Sequence, residues 1–242
     1  MADGTATLTV VGCSGSVPGP DGPCSCYLVQ RDGHRLLLDL GTGAVGPLQR
    51  LVPAEEVDEV FVTHAHPDHW SDLWDLMYLR DRVGRTGPLT VHGPPQVRDR
   101  VDGGRVPVDE YFTFQGAPKR MGPWEVRTAT VAHSVENWAV RLDDALCYTG
   151  DTDPCPELDE LAHGCAVLLA EATGFDDDRA PAHLSAGDAG RLATKAGARL
   201  LVLTHLRAWH DHRALLAEAA REATCPVVLA RPGLTLSLGR FA

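Results

Sequence analysis

Lysine is almost missing from this chain: of 22 cationic side chains in 242 residues, only Lys119 and Lys195 are lysines, and the rest are arginines. Cations are scarce altogether, 22 against 33 acidic residues, for a formal net charge of -11. A protein whose main business is gripping long nucleic acid needs a large excess of cationic contacts, and the acidic balance argues against that class. Long apolar runs are also lacking; the longest comparable stretch, Cys165 to Ala170, is far short of a membrane span. The first residues, Met1-Ala2-Asp3-Gly4, show no basic segment followed by an apolar one, so the expectation is a cytoplasmic protein without a secretion signal. Cysteine is neither dense nor even in number: seven are spread over the chain, which argues for reduced thiols rather than a disulfide framework. Cys24 and Cys26 have no second cysteine pair at zinc-ribbon spacing.

The composition is that of a folded protein, 44% hydrophobic and 23% charged, and the length supports a core without staples. Glycine (24) and proline (17) are distributed throughout, which predicts many short elements joined by turns. Strand-like runs lie at Ala6-Val11, Tyr27-Gln30, Arg35-Asp39, Val60-Thr63, Leu89-His92, Glu125-Ala132, Leu146-Thr149, Val167-Ala170, Leu200-Thr204, Val227-Leu229 and Leu234-Leu238. The clearest helices are Ser185-Ala196, with Ser185 as N-cap and Gly197 past its end, and His212-Ala223. Early strands follow one another directly and later ones alternate with helices, which predicts sheets covered by helices on their outer faces. No linker is long or polar enough to divide the chain, so one domain over residues 1–242 is expected. The stretch Arg80 to Arg127 holds nine Arg/Lys and six Asp/Glu, a local +3 that leaves -14 elsewhere. Its glycines and prolines predict a loop-rich excursion, either a solvated surface or a rim attracting an anionic substrate.

The strongest chemical signal is Thr63-His64-Ala65-His66-Pro67-Asp68-His69, directly after the apolar run Val60-Phe61-Val62. Three imidazoles and a carboxylate at the end of a buried strand can converge on one point across a sharp turn, which is what borderline cations require. The same context, a ligand-type side chain after an apolar strand, recurs at His133, Asp151 and His205. A lone histidine at a strand end is ordinarily a hydrogen-bonded surface residue. Seven such residues together are enough for two metals and an open position for water.

This ordered set resembles the complete ligand set of the metallo-β-lactamase superfamily, over nearly the whole chain. Leu38-Asp39-Leu40-Gly41-Thr42-Gly43 is similar to the early Asp-containing motif of that superfamily, which supports the metal loop. The resemblance implies an α/β (α+β) fold, a four-layer αββα sandwich with the site at one edge of the two sheets. It implies that His64, His66 and His133 hold one divalent ion, that Asp68, His69 and His205 hold the other, and that Asp151 bridges them. Zinc, manganese and iron all suit such donors. Ala182-His183-Leu184-Ser185 resembles the additional histidine motif of the ribonuclease Z-like phosphodiesterases, and Gly12-Cys13-Ser14-Gly15-Ser16-Val17-Pro18 resembles the glycine motif of that branch. His34, His92, His163, His210 and His212 match no motif of the family. The arm with which tRNA-processing members grip tRNA falls between the third metal motif and the bridging aspartate; here His133 and Asp151 are 18 positions apart, too close for an arm. The pattern is most similar to bacterial cyclic-nucleotide phosphodiesterases of the superfamily.

The implied reaction is hydrolysis of a small anionic phosphodiester, a 3′,5′-cyclic nucleotide opened to the 5′-monophosphate by a hydroxide bridging two metals. Asp68 would orient the nucleophile and His183 would serve the leaving group. The same metals could instead hydrolyse a lactone, thioester or β-lactam; tRNA 3′ processing and a non-catalytic binding role are the remaining readings. No long nucleic acid or membrane partner is expected, and a homodimer is the statistical expectation.

Overall fold

The computed structural model describes residues 6–84, 87–103 and 107–240. Met1 to Gly4, and Arg85 and Arg105 of the cationic stretch, lie outside the described residues. The chain opens with three antiparallel strands, β1 (Thr7–Gly12), β2 (Cys26–Arg31) and β3 (His34–Leu38). It continues through α1 (Val45–Leu48), β4 (Glu59–Phe61), α2 (Pro67–Trp70), α3 (Leu73–Arg82), β5 (Leu89–His92), α4 (Pro95–Asp102) and β6 (Phe112–Gln115). The second half comprises β7 (Arg120–Met121), β8 (Trp124–Val131), β9 (Asn137–Leu142), β10 (Leu146–Tyr148), α5 (Pro156–Ala162) and β11 (Val167–Glu171). It ends with α6 (Ala186–Ala196), β12 (Leu200–Thr204), α7 (His212–Glu222), β13 (Val227–Leu229) and β14 (Thr235–Ser237). Two seven-stranded mixed sheets result, ordered β14-β1-β2-β3-β4-β5-β6 and β13-β12-β11-β10-β9-β8-β7.

Strand periodicity accounts for the layers. In β2, Tyr27 and Val29 enter the core between the sheets, while Cys26 and Leu28 face the helices outside. In β11, Val167 and Leu169 point inward, and Leu168 and Ala170 pack against the outer helices. Both faces are thus buried, which is why these strands read as continuous apolar runs rather than alternating ones. The inner layer contains the fully buried Trp124, Tyr27, Tyr148 and Phe61; truncating such a ring to alanine costs about 3–5 kcal/mol. The outer layers make the sandwich four-deep, helix on sheet on sheet on helix, as expected.

The helix α6 forms where its capping box forecast it: Ser185 Oγ accepts from Asp188 N, and the Asp188 side chain answers the Ser185 backbone. The cationic stretch corrects the sequence reading. It is not a loop-rich excursion: β5 and β6 extend the first sheet, α4 covers it, and β7 and β8 begin the second. Between His133 and Asp151 the chain forms the antiparallel pair β9–β10, with Leu142 opposite Leu146. All seven cysteines are free thiols.

Candidate metal centre

The site lies at the carboxyl ends of the strands, where parallel sheets offer a crevice. His64 follows β4 and pairs in an isolated bridge with Asn137 at the start of β9. His66 is the N-cap of α2, whose first residue is Pro67, so the chain turns sharply and the one-turn helix carries Asp68 and His69 inward. Gly41 permits this approach, because a Cβ there would stand 1.8 Å from the Asp68 carbonyl oxygen. His133 follows β8, Asp151 follows β10 and His205 follows β12. Two of the centre's residues, Asp39 (φ 57°) and His205 (φ 52°), adopt left-handed backbone, a conformation that non-glycine residues hold only where the surroundings enforce it.

The seven sequence-derived residues come together. Ligand atoms of His64, His66 and His133 lie within 4.8 Å of one another, as do those of Asp68, His69 and His205, and those of His64, His69 and Asp151. A fourth group joins Asp151 and His205 to Glu171 and His183.

Thr63 Oγ1 gives its proton to Asp39, 3.0 Å away, and accepts from His64 Nδ1 at 3.0 Å. His69 Nδ1 donates to Asp39 Oδ2 at 2.7 Å. His133 Nδ1 donates to the Ala182 carbonyl at 2.8 Å. Thr173 gives its proton to Glu171 and accepts from His205 Nδ1 at 2.8 Å. Each of these four imidazoles therefore turns the Nε2 lone pair of its neutral form into the cluster. The lone pairs of His64 and His133 both face His66 Nδ1, at 3.0 and 3.1 Å, and one proton there can serve only one of them. His69 Nε2 faces Asp68 at 3.6 Å and Asp151 at 3.5 Å; it is buried without a hydrogen-bond partner, as is Asp151 Oδ1. His205 Nε2 stands 3.2 Å from Asp68 and 3.3 Å from Asp151. Lone pairs and carboxylates converging this closely fit divalent cations.

The electrostatics divide the cluster. Burial, reinforced by neighbouring imidazoles, pushes His64 well below the ordinary histidine value, and burial also lowers His66 and His133, which keeps all three neutral. At His69 burial acts the same way, but Asp151, Asp39 and Asp68 outweigh it and raise its pKa. A cation at Nε2 satisfies that same field. Asp68 and Asp151 are lowered: burial opposes their charge, and the surrounding histidines overcome it.

Asp39 is the hub beneath the metal loop. It accepts from Thr63 N at 2.7 Å and from Tyr148 at 2.7 Å, besides His69. Asp68 is fixed from the glycine motif, where Ser16 N donates to it at 2.9 Å. His183 sits at the edge of the cluster, 3.7 Å from Asp151, with Nδ1 donating to Glu171 Oε2 at 2.8 Å. Glu171, fully buried at the end of β11, escaped the sequence reading. Its signal was the same as for the candidate ligands, a polar side chain closing an apolar strand. Histidines outside the family motifs fall outside the cluster; His92, for example, bonds Glu59 at 2.8 Å.

Comparison with known proteins follows the same lines. Residues 34–206 match the family model described as beta-lactamase superfamily domain. The chain is similar to protein ML1173 of Mycobacterium leprae, 36% identical over 97% of this chain and 89% of that one. It is 30% identical to ribonuclease Z of Halobacterium salinarum over 84% of this chain and 87% of the relative. The crystal structure of the metallo-beta-lactamase fold protein YhfI from Bacillus subtilis superposes with a TM-score of 0.89 at 26% identity, covering 97% of this chain and 99% of that one; that relative is named a probable metallo-hydrolase.

Proposed function

We propose that this chain, which belongs to the beta-lactamase superfamily and is a metal-dependent hydrolase, acts on a small phosphodiester at a pair of divalent ions, opening a 3′,5′-cyclic nucleotide to the 5′-monophosphate. His64, His66 and His133 would hold one ion and Asp68, His69 and His205 the other, with Asp151, grouped with His64 and His69, serving between them. Imidazole and carboxylate donors without thiolate suit zinc, manganese or iron, and zinc is the ion proposed. When bound, two such ions polarise phosphate oxygens and make an attacking water acidic near neutral pH.

The chain's own residues supply the rest. Asp68 orients the attacking water. Asp39, Thr63, Thr173 and the Ala182 carbonyl fix the tautomers of the ligands. His183, held protonated at Nδ1 by Glu171, gives its Nε2 proton to the departing 3′-oxygen as the P–O3′ bond breaks and the water oxygen bonds to phosphorus.

The observation that carries this reading is the Glu171–His183 pair at the rim of the metal cluster, an acid suited to an alkoxide leaving group. The relative named ribonuclease Z supports phosphorus as the electrophile. Small substrate size is supported by the net charge of -11 and by the β9–β10 hairpin, which fills the segment between His133 and Asp151. The test is a substrate panel on one metal-loaded preparation: bis(p-nitrophenyl) phosphate and cyclic nucleotides against a lactone, a thioester and a β-lactam. Turnover of the carbonyl compounds alone would replace this reading with acyl hydrolysis.

A further inference from the structure

Two residues after His205 stands an arginine unlike the others. Among the described residues, the buried or half-buried arginines at 31, 35, 80, 98 and 141 all have carboxylate or carbonyl partners. Arg207 is half-buried, its Nε is enclosed without a hydrogen-bond partner, and its guanidinium makes no ion pair among the described residues. It leans instead on the Trp209 ring, with Cζ 5.5 Å from the centroid. Trp209 is 62% exposed, one of the few large apolar side chains left open to solvent. A guanidinium without an ion pair among the described residues, partly withdrawn from water beside an indole that touches His210 yet stays largely exposed, has recognition capacity left for a ligand.

Its place is fixed. Leu206 N donates to the Cys13 carbonyl at 2.8 Å and Gly15 N to the Leu206 carbonyl at 3.1 Å, while His212 Nε2 donates to the Arg207 carbonyl at 2.9 Å. His210 packs edge-on against Phe175, 5.5 Å between ring centres, which ties the segment to the loop that carries His183. Arg207 and Trp209 thus follow His205 by two and four residues on a segment tied to the loop that carries His183.

We propose that Arg207 and Trp209 form a nucleotide-recognition arm, the guanidinium taking phosphate oxygens and the indole stacking the base. This rests on the phosphodiesterase reading and adds substrate contacts beyond those of the metals. A neutral acyl substrate leaves Arg207 unpaired, and a phosphodiester without a planar ring leaves Trp209 uncovered. A nucleotide satisfies both.

Calorimetric binding of AMP and of ribose 5-phosphate to the metal-loaded protein tests the arm without relying on turnover. The wild type binds AMP about 5- to 100-fold more tightly than ribose 5-phosphate. W209A brings AMP down to the level of ribose 5-phosphate, W209F retains the preference, and R207M weakens both ligands about 10-fold or more. Circular dichroism and metal content of each variant verify that it is folded and loaded. Equal affinity of the wild type for the two ligands, an AMP preference that survives W209A, or binding untouched by R207M would overturn the arm. Diester hydrolysis is assayed separately: AMP preference without any phosphodiester turnover sinks the activity and leaves the arm, and turnover without base preference sinks the arm alone.

Discussion

Glu171 Oε2 lies 2.8 Å from His183 Nδ1 and also receives the hydroxyl proton of Thr173, whose oxygen accepts from His205 Nδ1. One buried carboxylate thus orients both the proposed acid and a proposed metal ligand. Burial works against a charged His183, but the hydrogen bond and charge of Glu171 outweigh it and raise the imidazole above its ordinary value. A raised pKa keeps the proton on His183 to higher pH, so acid catalysis is complete below the ordinary value and is lost as pH rises through the raised one. Glu171→Gln removes the largest raising influence and leaves burial opposed only by the charge of Asp151, so the alkaline limb of kcat/KM moves to lower pH. His183→Ala removes the limb and lowers kcat about 10²- to 10⁴-fold while two ions remain bound. Unchanged turnover in His183→Ala would remove the residue from the mechanism.

Asp39 tests the support of the metal loop. Asp39→Ala orphans buried donors on Thr63, His69 and Tyr148, at about 1–3 kcal/mol for each group left unsatisfied. It lowers metal affinity about 10- to 100-fold. Asp39→Asn keeps acceptor capacity and loses less. Metal titration and thermal melts of the two variants give the order; equal metal affinity in Asp39→Ala and wild type contradicts the hub.

The loop that carries His183 is tied to α6 by Asp176, which contacts Arg191 at 2.8 Å. That guanidinium lowers the carboxyl from 3.8 to about 2. A depressed pKa gives stability that is present above 3.8 and lost as pH falls through about 2. The pair is some 40% exposed, so screening limits its share to less than about 1 kcal/mol. Asp176→Asn accordingly flattens the melting-temperature profile in that acid window with little effect at neutral pH. An undiminished acid slope would assign the stability elsewhere.

Burial raises the thiols of Cys13 and Cys24 to about 12 and that of Cys165 to about 11. At pH 8 they carry almost no thiolate, so iodoacetamide labels the partly exposed Cys155 and Cys225 first. Mass spectrometry of a labelling time course reads this directly. Early modification of Cys24, which lies near Asp68 and His69, would contradict the closed packing beneath the metal loop.

Much of the site could be read in the sequence because its chemistry is compressed. His64 to His69 place four candidate ligands, three histidines and an aspartate, on one strand end and one helical turn, and His133, Asp151 and His205 repeat the strand-end context. Glu171 was hidden because it closes a fully buried strand and its partner His183 lies 12 positions away across a loop. Arg207 and Trp209 carry no motif; only the missing ion pair of the one, among the described residues, and the exposure of the other mark them. The central strands were legible from apolar runs buried on both faces. The β6 and β7 strands and the α3 and α4 helices were not, because they lie towards the sheet edges amid glycine, proline and charge, where tertiary packing decides the outcome over local pattern.

The central claim is a pair of metals committed to phosphodiester chemistry. The most direct measurement is metal content by mass spectrometry and hydrolysis of 3′,5′-cyclic AMP on the same preparation, before and after chelation. The account predicts two divalent ions per chain, release of 5′-AMP, and loss of both on chelation with recovery on adding metal back. A fully loaded chain that leaves every phosphodiester intact, or one whose turnover survives complete removal of the metals, would contradict it.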